Sequence, residues 1–568
     1  MLTRLRIENF KTLESADIPL GQNVVFIGPN NSGKTSALQA LALWHTGVRE
    51  WQARRPEKSS AKKRTGITVN RRSLTHTPVP TARLLWSKQK VNLTTRKDGK
   101  QETQNVYLNI IVDGETDGVS WTCGIQFYFG NSESIYCRLL SDDQDGELKQ
   151  TIALGATGSK VAMLPPMSGL VAEEAEIKSG RIEVLIGEGQ TSQVLRNLCL
   201  RVHETDSEAW SEIKAEMRRA FGVEMLDPSR DVARGTVELL YSQDDVELDL
   251  LSAGRGMQQT LLLLAHLYSN KRSVLLLDEP DAHLEILRQR QLYNLITETA
   301  RKLGSQIIAA SHSEILLNEA ADKDVVVAFV GRPHRIDDRG SQVLKSLKEI
   351  GFDQYYQAEL KGFVLYVEGS TDLAILRSFA KNLKHRSFEI LDQVFVHYVL
   401  NQPKQAEHHY YGIREAKSDL RAVAIFDRLE AALPSSFTIP NIVWKRREIE
   451  NYFCSKAVLL RYAVGNAPDD LVGKAEQEVR KDAMENAIKE VEQAFATLKR
   501  DPWSNNEKVS DLFMPRIFEI YFEKLKQDNR LNKSDFHILT EFVESAEIDI
   551  EIVDALDLIA RVALNDSN

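Results

Sequence analysis

The stretch Gly28-Pro29-Asn30-Asn31-Ser32-Gly33-Lys34-Thr35 decides the fold class. Before it, Asn23-Val24-Val25-Phe26-Ile27 is a short apolar run of the kind that forms a buried strand. After it, Leu38, Leu41 and Leu43 recur among alanines from Ser36 to Trp44, a helical pattern. Glycines between a strand and a helix let the backbone wrap closely, so N–H groups at the positive helix end face phosphate oxygens. Lys34 then reaches the β- and γ-phosphates, and Thr35 offers a hydroxyl to Mg2+. Gly28, Asn30, Asn31, Ser32, Gly33, Lys34, Thr35 and Ser36 are the expected ATP-binding residues.

Two later segments complete such a site. Val274-Leu275-Leu276-Leu277-Asp278-Glu279-Pro280 is an apolar strand ending in two carboxylates. Asp278 is expected to hold Mg2+, and Glu279 to orient or deprotonate the attacking water. The strand Gln306-Ile307-Ile308-Ala309-Ala310 runs into Ser311-His312-Ser313, which places His312 where an imidazole contacts the γ-phosphate. Strands alternating with helices (about Glu285 to Leu303 among them) predict a mostly parallel, covered sheet.

Leu251-Ser252-Ala253-Gly254-Arg255-Gly256-Met257-Gln258-Gln259 resembles the signature segment of ABC ATPases in variant form. With Arg6-Ile7-Glu8-Asn9-Phe10, the first half resembles SMC and RecF heads and, more closely, the ATPase half of the overcoming-lysogenisation-defect (OLD) nucleases. The resemblance implies that Ser252 and Gly254 touch ATP on a partner's P-loop, so two heads close around two nucleotides. Pro280-Asp281-Ala282-His283 would lie at that interface. Ala253-Gly254-Arg255 departs from the Gly-Gly-Gln common in transporters.

A second strand–helix series follows. Phe363-Val364-Leu365-Tyr366-Val367 leads into Glu368-Gly369-Ser370-Thr371-Asp372, and Ala422-Val423-Ala424-Ile425-Phe426 ends in Asp427-Arg428-Leu429-Glu430. Acids at the ends of neighbouring parallel strands meet at the carboxyl edge of a sheet, where they suit Mg2+ or Mn2+. This half resembles a Toprim domain, and ATPase-then-Toprim is the OLD order. The resemblance implies Glu368, Asp372, Asp427 and Glu450 as metal ligands, with Glu368 and Asp427 catalytic. Glu450 lies in Trp444-Lys445-Arg446-Arg447-Glu448-Ile449-Glu450, which resembles a later acidic motif. Leu429 stands where a second aspartate belongs, and Glu430 is the expected substitute ligand. Lys508, Lys533 and the Lys445-Arg446-Arg447 triplet are candidate phosphate neutralisers. The acidic tail (Glu541, Glu544, Glu547, Asp549, Glu551) reads as a solvated helix face.

The 568 residues carry 72 basic and 81 acidic side chains, a net charge of -9, and 42% hydrophobic residues, which suits two or three globular domains. Charge is uneven. From Arg49 to Lys100 there are fifteen Lys or Arg (Arg54, Arg55, Lys62, Lys63, Arg64, Arg71 and Arg72 among them) against Glu50, Glu57 and Asp98. Such a run either binds phosphates or forms a solvated loop. Four scattered cysteines fit a reducing compartment. No signal-peptide core and no membrane-length apolar run is present, so a transporter is excluded unless a separate subunit supplies the spans, and a cytoplasmic setting is expected.

The expected architecture is α/β: an ABC-type P-loop ATPase head (SMC/RecF-like) over residues 1–350, then a Toprim-like domain with a helical C-terminal part over 360–568. Residues 48–235 would insert a basic segment, a β-rich lobe and a helical dimerisation segment. The expected function is an ATP-regulated, metal-dependent nuclease of anti-phage defence, using ATP and Mg2+ (or Mn2+ at the Toprim site). Expected partners are nucleic acid, with DNA favoured over RNA, a second copy or higher homo-oligomer, and a defence-system protein or ribonucleoprotein. Two alternatives stand: an ATPase sensor with a degenerate Toprim domain, and a RecF-like repair ATPase.

Overall fold

The computed structural model describes residues 1–54, 66–97, 100–140, 154–321, 323–336, 350–465, 471–529 and 531–566. Arg55, Lys62, Lys63 and Arg64 of the basic run lie outside them. The chain forms two compact units, Met1–Leu344 and Lys345–Asn568.

The first unit is built on two six-stranded sheets with a helix between them. Its elements are β1 (Leu2–Phe10), β2 (Leu13–Pro19), β3 (Asn23–Ile27), α1 (Lys34–Arg54), β4 (Ile67–Asn70), β5 (Leu108–Thr116), β6 (Val119–Asn131), β7 (Ser134–Leu139) and β8 (Val161–Leu164). They continue as α2 (Leu195–Thr205), α3 (Ser207–Phe221), α4 (Arg255–Ser269), β9 (Val274–Asp278), α5 (Ile286–Lys302), β10 (Gln306–Ser311), β11 (Val325–Ala328) and β12 (His334–Arg335). The mainly parallel sheet runs β8-β9-β10-β3-β11-β12. Its β3, β9 and β10 are buried along their whole length, as expected of strands covered on both faces. The register pairs Asp278 with Ala310, and Ser311 with Ile27. Three strand ends thus reach one carboxyl edge beside the loop at Gly28.

The β-rich part of the expected insert is continuous with the N-terminal strands. β5, β6 and β7 extend β1 into the antiparallel sheet β2-β1-β5-β6-β7-β4. The reason lies in their alternation. Leu108, Ile110, Val112, Ile125 and Phe127 need an apolar cover, and the long α1 supplies it with Leu38, Leu41, Trp44 and Trp51 in one shared core. α1 is buried nearly all round because a sheet lies on either side. The helical segment packs within the chain too, α2 and α3 lying against α4.

The second unit holds β13 (Phe363–Val367), α6 (Ser370–Asn382), β14 (Phe395–Tyr398), α7 (Pro403–Ala416), β15 (Arg421–Phe426) and β16 (Asn441–Val443). Its sheet, β14-β13-β15-β16, is wholly parallel. Alternate residues sort to two cores, Phe363, Leu365 and Val367 on one face, Val364 and Tyr366 on the other. The C-terminal part is mainly helical, as expected, with helices Leu471–Thr497, Met514–Lys524 and Ile550–Leu564.

The acidic tail is not one solvated face. Glu541 pairs with Lys381, Glu544 and Glu547 with Arg461, and Asp549 with Arg446, while Glu551 accepts from the Tyr452 hydroxyl. These side chains come from the irregular segments before the last helix and, for Glu551, from its first turn, so each meets a different neighbour.

Candidate functional site

The loop between β3 and α1 turns on two glycines at positive φ, Gly28 (156°) and Gly33 (102°). A Cβ on Gly28 would meet the Phe329 carbonyl oxygen at 2.8 Å, and one on Gly33 would meet Leu13 Cδ2 at 2.9 Å. Only glycine fits both positions. The resulting cavity of about 250 Å³ is lined by Asn30, Asn31, Ser32, Gly33, Lys34, Thr35, Ser36, Glu279 and Thr12. Thr12, in the β1–β2 turn, was missed from sequence because nothing in its local pattern marks it. Its hydroxyl lies 3.3 Å from that of Ser36.

Lys34 Nζ donates to the carbonyls of Gly28 (2.6 Å) and Pro29 (2.7 Å), which holds the ammonium in the mouth of the loop. Thr35 Oγ1 donates to Asp278 Oδ1 at 3.0 Å. Burial pushes the Asp278 carboxyl up to about 6, Glu279 adding to the rise and the Thr35 hydrogen bond opposing it. A hydroxyl and a carboxylate in contact at the helix N-terminus are hard oxygen donors, so the pair fits Mg2+. Glu279 takes a left-handed φ of 47°, a strained conformation for a residue with a side chain. That turn brings its Oε1 to 3.4 Å from His312 Nδ1.

Ser252 and Gly254 are exposed and do not line this cavity. Their turn is nonetheless tied to the site. Gln258 Nε2 donates to the carbonyls of Leu250 and Ala253, and Gln259 Nε2 to that of Pro280.

The second unit gathers acids at the carboxyl edge of its parallel sheet. Glu368 follows β13 and Asp427 follows β15, close enough for a hydrogen bond between their carboxyls. Burial, then Glu368 and Asp372, push the Asp427 carboxyl far above the usual range, and its Oδ1 is buried without a partner. Asp372 accepts from the Gly369 N–H at 2.8 Å, so it caps α6 as well as joining the group, and burial pushes it up to about 6. Glu450 is raised by burial, with Glu448 and Asp372 adding to it.

Glu448, which sequence reasoning left as a mere neighbour, is 2% exposed and accepts from the Ser510 N–H and hydroxyl. Lys508 Nζ stands 4.0 Å from Glu448, and the charges of Glu368 and Asp427 also act on it. Lys508, one of the phosphate neutralisers expected from the sequence, thus reaches this group from far along the chain. Lys533 is held by Asp511, and Arg446 by Asp549 and the Tyr452 ring.

Glu430 does not enter the group. It is exposed, and none of the raised carboxyls is shifted by it. Leu429 packs against the apolar cluster of Phe426 and Phe437, which turns the next residue outward. Among the described residues, no three His, Cys, Asp or Glu side chains stand in ready metal-binding geometry. The charges of these acids act on one another.

The fold and the first site define a P-loop ATPase of the ABC type. A family model described as "AAA domain, putative AbiEii toxin, Type IV TA system" matches residues 178–318, and an AAA ATPase domain model matches residues 1–74. The chain is 24% identical over 354 residues to an OLD nuclease of Thermus scotoductus, covering 58% of this chain and 64% of the relative's length. It is also 34% identical over 104 residues to the DNA double-strand break repair Rad50 ATPase of Archaeoglobus fulgidus, 18% of this chain and 12% of that one. A solved SMC head domain from Thermotoga maritima aligns with 59% of this chain and 98% of its own, at 14% identity and a TM-score of 0.31. The chain is thus a homologue of an OLD nuclease, as the resemblance in its motifs implied.

Proposed function

We propose that the chain is an ATP-regulated, divalent-metal-dependent nuclease of the OLD type that acts in anti-phage defence. On this reading, residues 1–350 form an ABC head whose ATP-driven pairing gates a Toprim-like site in residues 360–568. The observation that carries it is the group of Glu368, Asp372, Asp427, Glu448 and Glu450 at one sheet edge, with Asp372, Glu448 and Glu450 buried and Lys508 beside them. The raised carboxyls of Asp372, Asp427, Glu448 and Glu450 are costly to the fold and mark a functional site.

Glu368, Asp427 and Glu450 would hold Mg2+ or Mn2+, with Asp427 Oδ1 as a donor already free of other bonds. Bound there, a metal would lower the pKa of a water and neutralise the leaving oxygen. The chain's own part is to hold those oxygens in a buried, dry edge, and to offer Lys508 to a phosphate. Within the head, Thr35 and Asp278 would hold Mg2+, Glu279 would orient the attacking water, and Glu279 would itself be steadied by His312.

The test is cleavage of plasmid, single-stranded DNA and tRNA with Mg2+ or Mn2+, with and without ATP. Cleavage that disappears in Glu368→Ala, Asp427→Ala and Lys508→Ala supports the reading; no cleavage under any nucleotide and metal condition would sink it. For the head, Lys34→Ala must abolish nucleotide binding.

A second reading is favoured by Leu429 half-buried against the apolar cluster and Glu430 in solvent. A site one acid short would serve an ATPase sensor that recruits or releases a partner without cutting. A cytoplasmic setting agrees with free, buried Cys123, Cys137 and Cys199. No helix among the described residues is long and apolar enough to cross a membrane.

A further inference from the structure

We propose that the outward face of the antiparallel sheet in the first unit, at Tyr107, Tyr128, Tyr136 and Arg138, binds single-stranded nucleic acid by stacking on its bases. The proposal deepens the reading above, since it rests on nucleic acid being the partner, and it concerns a surface that reading does not use.

The two faces of this sheet differ in kind. Ile125, Phe127, Ile135, Cys137 and Leu139 point into the core. The outward positions between them carry aromatic and polar side chains, with Tyr128, Tyr136 and Arg138 half-buried and Gln126 buried beneath them, which is not the pattern of a face packed under a helix. Tyr128 and Tyr136 are cross-strand partners whose rings stack at 4.9 Å with 19° between planes. Tyr107 meets the Tyr128 ring edge-on at 6.2 Å. The Arg138 guanidinium lies 5.3 Å from the Tyr107 ring centre and 5.8 Å from that of Tyr128.

Arg138 has no acidic partner among the described residues. A ladder across the strands fixes it instead. Its Nε donates to Gln126 Oε1 (2.8 Å), Gln126 Nε2 to Asn109 Oδ1 (2.9 Å), and Asn109 Nδ2 to Glu8 Oε2 (2.7 Å). A preset cation among aromatic rings is what a base and its phosphate need together.

The rim points the same way. On the β4 side the residue paired with Tyr136 is Thr68, exposed and too short to cover a ring. Arg54 donates to the Thr68 carbonyl, and the exposed Arg72 follows β4. The Gly66 backbone is so close to Tyr128 that a Cβ there would meet the hydroxyl at 2.6 Å. Both described ends of the most basic stretch of the sequence therefore adjoin this face. The acids Asp113 and Glu133 are already paired, with Arg6 and Arg71. A duplex hides its base faces, whereas a single strand presents them, so the aromatic row selects the single strand.

The experiment is fluorescence anisotropy with the full chain and a labelled oligothymidine of about 12 nucleotides, within the usual site size of one stacking platform. Tyr128→Ala and Tyr136→Ala should each weaken binding by about tenfold. Tyr128→Phe and Tyr136→Phe, which keep the rings, should bind as the unaltered chain does. Arg138→Gln should reduce the slope of log K against log salt by about 0.7.

Equal binding by the alanine variants, or an unaltered chain that prefers duplex or an acidic peptide to the single strand, would overturn the proposal. If the tyrosines govern binding but no cleavage is found, the nuclease reading falls and this surface stands. If the chain cleaves nucleic acid and the tyrosines are indifferent, the reverse holds.

Discussion

Asp427 carries a buried oxygen without a partner and stands against Glu368 and Asp372, so its charged form is disfavoured in the fold. Its stabilising contribution is present below pH 3.8, the unfolded value, and is lost as pH rises toward the raised folded value. At neutral pH without metal, Asp427→Asn removes that loss. The expected gain is on the order of 1–3 kcal/mol, a higher melting temperature by roughly 2–4 °C per kcal/mol, measured in chelator. Added Mn2+ should narrow the gap by stabilising the unaltered site. A variant that melts at or below the unaltered chain in chelator would contradict this account. Histidines of the first unit act in the opposite sense. Burial, with Arg49 nearby, pushes His45 and His76 down to about 4. Between pH 6.5 and 4 the unfolded chain takes up protons that the folded one refuses, so stability falls as pH falls through that window. Each should cost on the order of 1–2 kcal/mol by pH 5. Asp278, raised to about 6, opposes this, so the measurement is a difference: urea midpoints at pH 7 and pH 5 for His45→Gln/His76→Gln against the unaltered chain. A parallel fall in both would show that these imidazoles are not the cause.

Elements carry their chemistry at their ends here, and Leu429, just past β15, shows what an end position decides. It packs with Ile350, Leu433, Phe437 and Val443 against the cluster around Phe426. Leu429→Asp would restore the acid expected by the motif yet bury a charge there, at a cost of about 2–4 kcal/mol. Cleavage should not rise, and the denaturation midpoint should drop. Greater cleavage at unchanged stability would show that the position faces the acids after all. The same element explains what was legible in the sequence. Val274 to Glu279 and Phe363 to Glu368 announced strand, end and acid together, because a buried parallel strand is a continuous apolar run and its end must turn. Periodicity also placed β5 to β7 as strands. It could not say which apolar face they cover, since pairing β5 with β1 joins residues a hundred positions apart. Glu448 and Thr12 were hidden for a related reason: each reaches its site from an irregular segment with no local pattern. The aromatic row was invisible because Tyr128 and Tyr136 become neighbours only through the β6–β7 register.

For the whole molecule the question is what completes the nucleotide site. Lys34, Thr35, Asp278 and Glu279 converge within one chain, but Ser252 and Gly254 lie exposed outside its cavity. Leu251, Ile286 and Leu287 are 44%, 68% and 76% exposed around them. The two segments are neighbours, since a Cβ on Gly256 would meet Leu284 at 2.9 Å. Single exposed aliphatics are ordinary, but three bordering a signature turn are the makings of a self-complementary interface. Pairing would bury them and bring each turn to the other chain's phosphates. Because ATP would bind the paired state more tightly than the open one, it should drive pairing, and hydrolysis should release it. Glu279→Gln, which keeps the loop but removes the acid proposed to orient the attacking water, should therefore sediment as a dimer with ATP and Mg2+ and as a smaller species without them. Ile286→Asp with Leu287→Asp in that background should abolish the shift while leaving nucleotide binding at Lys34 within about twofold, because neither side chain touches the loop. Retained pairing in that variant would place the interface elsewhere. Failure of Glu279→Gln to pair under saturating ATP would mean that the head acts alone, leaving the carboxylate edge of the second unit without the gate proposed for it.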